Sequence, residues 1–127
     1  MNNKYSNVRT LYFDPSVAVG VGKTAEVNLM VNDFLKPVTE FSAEFTYDST
    51  ILMIEKVEIN KEVFDKMIVN NVDQFAGKII IKASSSSPAA SLKKGEQKLA
   101  TITMRGIKKG EFSFKGNGVR EFGISVK

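Results

Sequence analysis

Apolar and polar residues alternate with a period of two along most of this chain. In "AEVNLMVND", Val27, Leu29 and Val31 fall on one side and Glu26, Asn28 and Asn32 on the other, the pattern of a strand with one buried face. "TEFSAEFTYD" repeats the device, with Phe41, Ala43, Phe45 and Tyr47 opposite Glu40, Ser42, Glu44 and Thr46, and "DST" supplies a turn. "ILMIEKVEI" reads as a further short strand. "AGKIIIKASSSS" sets Ile79, Ile81 and Ala83 against Lys82 and Ser84, and "LATITMRGI" sets Ala100, Ile102 and Met104 against Thr101, Thr103 and Arg105. With "TLYFDP", "EFSFKG" and "EFGISVK" added, eight or nine strands at regular spacing predict an all-β antiparallel sandwich or barrel.

One segment departs from this period. Over residues 59–70, "INKEVFDKMIVN", the apolar residues Ile59, Val63, Phe64, Met67 and Ile68 recur at helical intervals, and Asn60 can cap a first turn containing Glu62. Two readings follow: a short helical turn near residues 60–68, or an irregular crossover whose Phe64 and Met67 plug one end of the sandwich. "SSSSPAAS" sits between two strands and reads as a loop with an exposed tip.

The chain has 127 residues, enough for one domain with a single core, and residues 10–127 are expected to form it behind a flexible segment of residues 1–9. Composition agrees with a soluble globular protein, at 43% apolar and 25% charged. No run approaches a membrane helix, and the first residues lack a signal-peptide core, so an exported protein would carry its signal outside this segment. The 18 basic against 14 acidic side chains leave a mild excess of +4. Its lysines are scattered without interleaved aromatics, which reads as a solvated surface and not as a nucleic-acid stripe. Without cysteine there is neither a disulfide framework nor a thiolate metal site.

"GVGKT", Gly20 to Thr24, is spelled like the end of a phosphate-binding loop. That loop needs a glycine five residues before the Gly-Lys pair and a helix after it. Position 17 is Val17 and the residues after Thr24 alternate as a strand, so the segment reads as a turn. Lack of histidine removes the commonest general base and every His-containing metal site. Glu40 and Glu44 share a strand face but stand roughly 13 Å apart along the backbone, wider than glycosidase carboxylates. Nothing suggests a nucleophile or an oxyanion site. A sugar-stacking platform is a competing reading. There is no tryptophan, and most aromatics share parity with the aliphatic residues; Tyr5, Tyr12 and Phe34 are the unplaced rings. Asp33, Asp48 and Asp73 at strand ends are either calcium ligands or turn residues.

Taken in order, "VAVGVGKTAEVNLMVND", "EFSAEFTYDSTIL", "VDQFAGKIIIKASS" and "QKLATITMRGIKKGEFSF" resemble the cohesin family, the modules that bind dockerin domains in cellulosome-type assemblies. The resemblance implies a nine-stranded jelly-roll β-sandwich without catalytic activity. It implies no cofactor on this chain, calcium on the dockerin, and docking on the exposed face of one sheet. The partner it implies is a dockerin-bearing protein, an extracellular enzyme, bound by a monomeric module of a larger secreted or surface protein, with no nucleic-acid or membrane partner. The family's contact strands correspond here to residues 38–48, 66–72, 78–86 and 98–105. Outward parity on them gives Glu40, Ser42, Glu44, Lys82, Ser84, Thr103 and Arg105, with Asn70, Ser85 and Ser86 alongside.

The chain departs from cohesins where contacts are expected. Ala83 and a serine run stand where cellulosomal cohesins commonly offer apolar residues, so the face lacks an evident anchor. A bulge near Lys82 would turn Ile79 and Ile81 outward and restore one. Two other readings stay open: a carbohydrate-binding module, or a cohesin-like structural domain of a surface or secretion protein.

Overall fold

The alternating segments become ten strands in a computed structural model that describes residues 10–33, 36–87 and 94–127. They are β1 (Leu11–Asp14), β2 (Ala18–Val19), β3 (Thr24–Asp33), β4 (Glu40–Thr46), β5 (Leu52–Ile59), β6 (Lys66–Asp73), β7 (Lys78–Ser84), β8 (Gly95–Gly106), β9 (Gly110–Gly116) and β10 (Val119–Val126). The expected all-β jelly roll is the fold; the strand beyond the expected nine is the two-residue β2. The expected N-terminal segment, residues 1–9, lies outside the described residues, as do Tyr5, Phe34 and the tip of the serine loop.

Hydrogen-bonded neighbours run β5-β8-β3-β1-β10-β9-β4-β7-β6, with β2 beside β10. The path folds into two layers, β5-β8-β3-β1-β10-β9 and β4-β7-β6. They are joined where β9 meets β4 through one pair, Thr46↔Lys115. Pairing is antiparallel except that β1 and β2 both run parallel to β10. At the opposite side β5 and β6 are the free edges, and side-chain amides stitch them together: Asn70 Nδ2 donates to the Val57 carbonyl at 2.9 Å, and the Ile54 N–H donates to Gln74 Oε1 at 2.9 Å. These two bonds satisfy backbone groups on an edge that would otherwise invite another strand.

The parity read from sequence is the parity observed. Val27, Leu29, Val31, Phe41, Ala43, Phe45, Tyr47, Ile79, Ile81, Ala83, Ala100, Ile102 and Met104 are all buried between the layers. Phenylalanines fill the middle: the Phe13 ring lies 5.1 Å from Phe45, edge to face, and 5.0 Å from Phe114. Such ring pairs add about 0.5–1.5 kcal/mol each to the area they bury.

No helix forms over residues 60–68. The Val63 and Phe64 N–H groups both donate to the Asn60 carbonyl, which closes a single turn, and the chain then enters β6. Phe64 does plug the core, fully buried and edge-on to Phe41 at 5.0 Å. Met67 does not, being 56% exposed. The helical spacing arose from a bulge. Between Met67 and Val69 the register against β7 shifts by one residue, so Ile68 is extra and the period of two is broken there.

"GVGKT" is a turn leading into β3. Gly22 adopts φ 78°, its N–H donates to the Gly106 carbonyl, and the Lys23 N–H returns to the Gly20 carbonyl.

Candidate protein-binding face

On the outer side of β4-β7-β6 the registers set side chains in rows. Thr46, Lys78 and Asp73 form one row; Glu44, Ile80 and Asn71 the next; then Ser42, Lys82 and Val69; then Glu40, Ser84 and Lys66. Alternation places them there, since their neighbours Phe41, Ala43, Phe45, Ile79, Ile81 and Ala83 are committed to the core. Lys78 Nζ and Glu44 Oε2 pair at 2.9 Å in a wet, exposed setting, where such a pair orients side chains more than it stabilises. Ile80 lies half-buried between Glu44 and Asn71, an aliphatic group in an otherwise polar row. Beside the rows, where β9 ends against β4, Ser42, Glu44, Lys115, Gly116 and Asn117 border an open hollow of about 550 Å³.

The serine loop is fastened to this sheet. The Ser85 N–H donates to the Thr39 carbonyl at 2.8 Å. The Ser86 N–H donates to Asp65 Oδ1 at 2.8 Å while its hydroxyl donates to Asp65 Oδ2. The Ser86 hydroxyl, and then its N–H, hold the Asp65 carboxyl below its usual range, because both bonds favour the charged form.

The structure therefore gathers Glu40, Ser42, Glu44, Lys82 and Ser84 on one face with Ser85 and Ser86 at its edge. The other three expected residues are elsewhere. Thr103 and Arg105 do point outward, but from the opposite layer: Thr103 is paired with Glu26 and Lys56, and Arg105 Nε bonds Glu55 Oε2 at 2.7 Å. Residues 98–105 belong to β8, whose partners are β3 and β5; the strand that borders β4 on its other side is β9, through one pair. Asn70 is paired with the inward Ile81, and its amide is spent on Val57 across the gap between layers. No bulge changes the parity of β7 at Lys82 either: the register shift beside it is in β6, β7 runs against β4 without one, and Ile79 and Ile81 stay buried.

Two apolar residues of the face went unread. Strict alternation through "IIIK" already sends Ile80 outward, so that signal was in the sequence. Val69, paired with Lys82 and sharing its side, was hidden by the bulge at its neighbour Ile68, which is 56% exposed.

The other chemistry resolves as follows. Asp48 accepts from the Thr50 N–H and hydroxyl, Asp73 from the Ala76 N–H, and Asp33 from the Lys36 N–H, so each carboxylate serves its own turn. Among the described residues no three acids gather as a metal site. Of the unplaced rings, Tyr12 lies on the outer side of the other layer, bonded to Glu96. Burial, and then the Glu96 carboxylate, push the Tyr12 hydroxyl up to about 12.

No family model and no curated protein matches this chain in sequence. Solved structures do match. A type I cohesin–dockerin complex from Clostridium thermocellum superposes with TM-score 0.73 at 15% identity, covering 94% of this chain and 94% of that one. The chain has the cohesin fold. CaCohA2 of Clostridium acetobutylicum, determined in solution, matches with TM-score 0.69 at 17% identity over 92% of this chain and 90% of its own. A cohesin module from a family 33 glycoside hydrolase of Clostridium perfringens matches with TM-score 0.70 at 14% identity over 95% and 99%.

Proposed function

We propose that this chain is a non-catalytic, cohesin-like interaction module that binds a dockerin-bearing protein through the outer face of β4-β7-β6. The observation that carries the reading is the face itself. It is a three-stranded wall, polar along β4, with Ile80 on the central strand beside Glu44 and Val69 on the edge strand next to Lys82 and the exposed Ile68. A mixed surface of this kind, with a few apolar side chains set among polar ones, matches the composition of a non-obligate interface. The solved relatives support the partner's class, since several are complexes of cohesins with dockerins. Calcium belongs to the partner in this reading, and the module works outside the cell as part of a larger secreted or surface protein. The ring row that a sugar platform needs has no counterpart among the described residues, because Tyr12 and the exposed Phe75 lie on different parts of the molecule.

Calorimetry against dockerin-bearing proteins from the source organism tests this. Binding is expected with calcium and not with chelator. Ile80→Asp should weaken it by roughly tenfold or more, because a charge would then replace the central apolar contact. Thr103→Asp, on the opposite layer, should leave it unchanged. Absence of any complex with the organism's dockerins removes the proposal.

A further inference from the structure

One end of the sandwich carries four turns that hydrogen bonds tie side by side. The Tyr47 N–H donates to the Gly77 carbonyl at 2.9 Å, joining the β4–β5 turn to the β6–β7 hairpin. The Ile107 N–H donates to the Ile51 carbonyl at 2.7 Å, joining the β8–β9 turn to the first. The Gly22 N–H donates to the Gly106 carbonyl at 2.8 Å, which adds the turn before β3. Three of the five large hydrophobic side chains that stand exposed among the described residues are on these turns: Val21 at 46%, Phe75 at 99% and Ile107 at 46%. The β6–β7 hairpin presents Phe75 on a built turn, with the Gly77 N–H on the Asp73 carbonyl and the Ala76 N–H on the Asp73 carboxylate. Exposed lysines stand beside the aliphatic tips, Lys23 near Val21 and Lys108 and Lys109 next to Ile107. The two acids of these turns, Asp48 and Asp73, accept bonds from their own turns, and Lys108 lies close enough to Asp48 to favour its charged form.

We infer that this end of the module docks on an anionic lipid surface, with Phe75, Val21 and Ile107 entering the headgroup boundary and Lys23, Lys108 and Lys109 meeting the phosphates. The chemistry selects lipid over other polyanions, since a soluble polyanion would engage the lysines and leave a fully exposed phenylalanine without a role. It selects lipid over a protein as well. Protein interfaces are depleted in lysine at their centre, whereas apolar tips flanked by lysine match a bilayer boundary, where long basic side chains reach up to phosphate. The missing membrane-spanning run does not bear on this, because loop tips enter only the interface and need no span. Phe75, Val21 and Ile107 stand on turns, whereas Ile80 and Val69 lie within the strands of the face, so the inference stands apart from the dockerin reading.

Sedimentation with vesicles tests it. The intact chain is expected to pellet with vesicles of phosphatidylcholine and phosphatidylglycerol in equal parts at low salt, and to stay in solution with phosphatidylcholine alone. Phe75→Ser should weaken this roughly tenfold, the loss expected from withdrawing one buried aromatic ring. Binding to a soluble polyphosphate should be the same for the intact chain and for this variant. Ile80→Ser should pellet like the intact chain. Because the chain has no tryptophan, Phe75→Trp supplies a single reporter whose emission should shift to the blue on mixed vesicles. No pelleting with the mixed vesicles, pelleting that Phe75→Ser does not reduce, or an unshifted Phe75→Trp emission would each overturn the inference.

Discussion

At Gly116 the two layers meet so closely that no other residue fits. A β-carbon built there would lie 2.1 Å from the Glu44 carbonyl oxygen and 2.9 Å from the Phe45 β-carbon. The neighbour is backbone, so the clash cannot be relieved by a rotamer, and the single β9–β4 pair next to it would have to open. Gly116→Ala is expected to cost about 2–3 kcal/mol, at the upper end of overpacking. Gly123 provides the contrast: a β-carbon there meets nothing within 4 Å, and an alanine lowers the entropy of the unfolded chain. Gly123→Ala is therefore expected to be neutral or to stabilise by about 0.5 kcal/mol. Denaturant midpoints of the two variants check both. Neither role could be read from the sequence, because a glycine before a strand turn and a glycine inside a strand look alike until the partner layer is in place. The inward side chains were legible for the opposite reason. Val27, Phe45, Ile81 and Ile102 each belong to a strand with one buried face, and there a slip of one residue would send every apolar group into water.

At the level of elements, the seam between β5 and β6 shows what local pattern can and cannot carry. Asn70 of β6 and Gln74, in the turn just after it, reach β5 across the gap between layers, and their amides take over bonds that a neighbouring strand would make with β5. Gln74 Oε1 accepts from both the Ile54 N–H and the Tyr47 hydroxyl, so it holds an edge strand and a core tyrosine at once. Gln74→Leu keeps the bulk and removes the acceptor, leaving a part-buried N–H and a hydroxyl to find other partners. We expect a loss of about 1–3 kcal/mol together with faster amide exchange at Ile54 than at Ile102 in the neighbouring strand. Equal protection at both amides in the variant would mean that the amide stitch does not hold the edge. The sequence gives no warning of this seam, since a single extra residue at Ile68 makes the apolar spacing of residues 59–70 look helical. The same nonlocality misplaced Thr103 and Arg105. Alternation told correctly that they face outward, but which layer β8 joins depends on its ladders to β3 and β5, formed with residues some fifty and eighty positions away. Of the four strands that the resemblance assigned to the face, β4, β6 and β7 do form its sheet and β8 does not.

For the molecule as a whole, ionisation sets where in pH the fold is secure. The chain has no histidine and no cysteine, so none of its side chains with an ordinary pKa between about 5 and 9 is present. Stability should be level there. On the alkaline side two tyrosines decide. Burial, and then the Asp73 carboxylate, push the Tyr47 hydroxyl up to about 12, and Tyr12 is raised to about 12 by burial and Glu96. Both rings ionise near 10 once unfolded. A group raised in the fold contributes stability that is complete below its unfolded value and is lost as pH climbs from about 10 toward 12. On the acid side the sign reverses. Asp48, held down by the Thr50 hydroxyl and N–H, and Asp65, held down by Ser86, contribute stability present above their unfolded pKa, near 3.8, and lost as pH falls below it. Both are solvent-exposed, so their share is small. The alkaline arm is the sharper test, and Tyr47→Phe isolates it. The variant loses the bond to Gln74 and should be less stable at neutral pH, yet it has one fewer hydroxyl resisting ionisation, so its stability should fall less steeply above pH 10 or so. Denaturation curves collected from neutral pH to about 11.5 should bring the two proteins together at the alkaline end. Parallel decline would show that the Tyr47 hydroxyl ionises as easily in the folded molecule as in the unfolded chain, and that the contact between Tyr47 and the β6–β7 hairpin is looser than the structure has it.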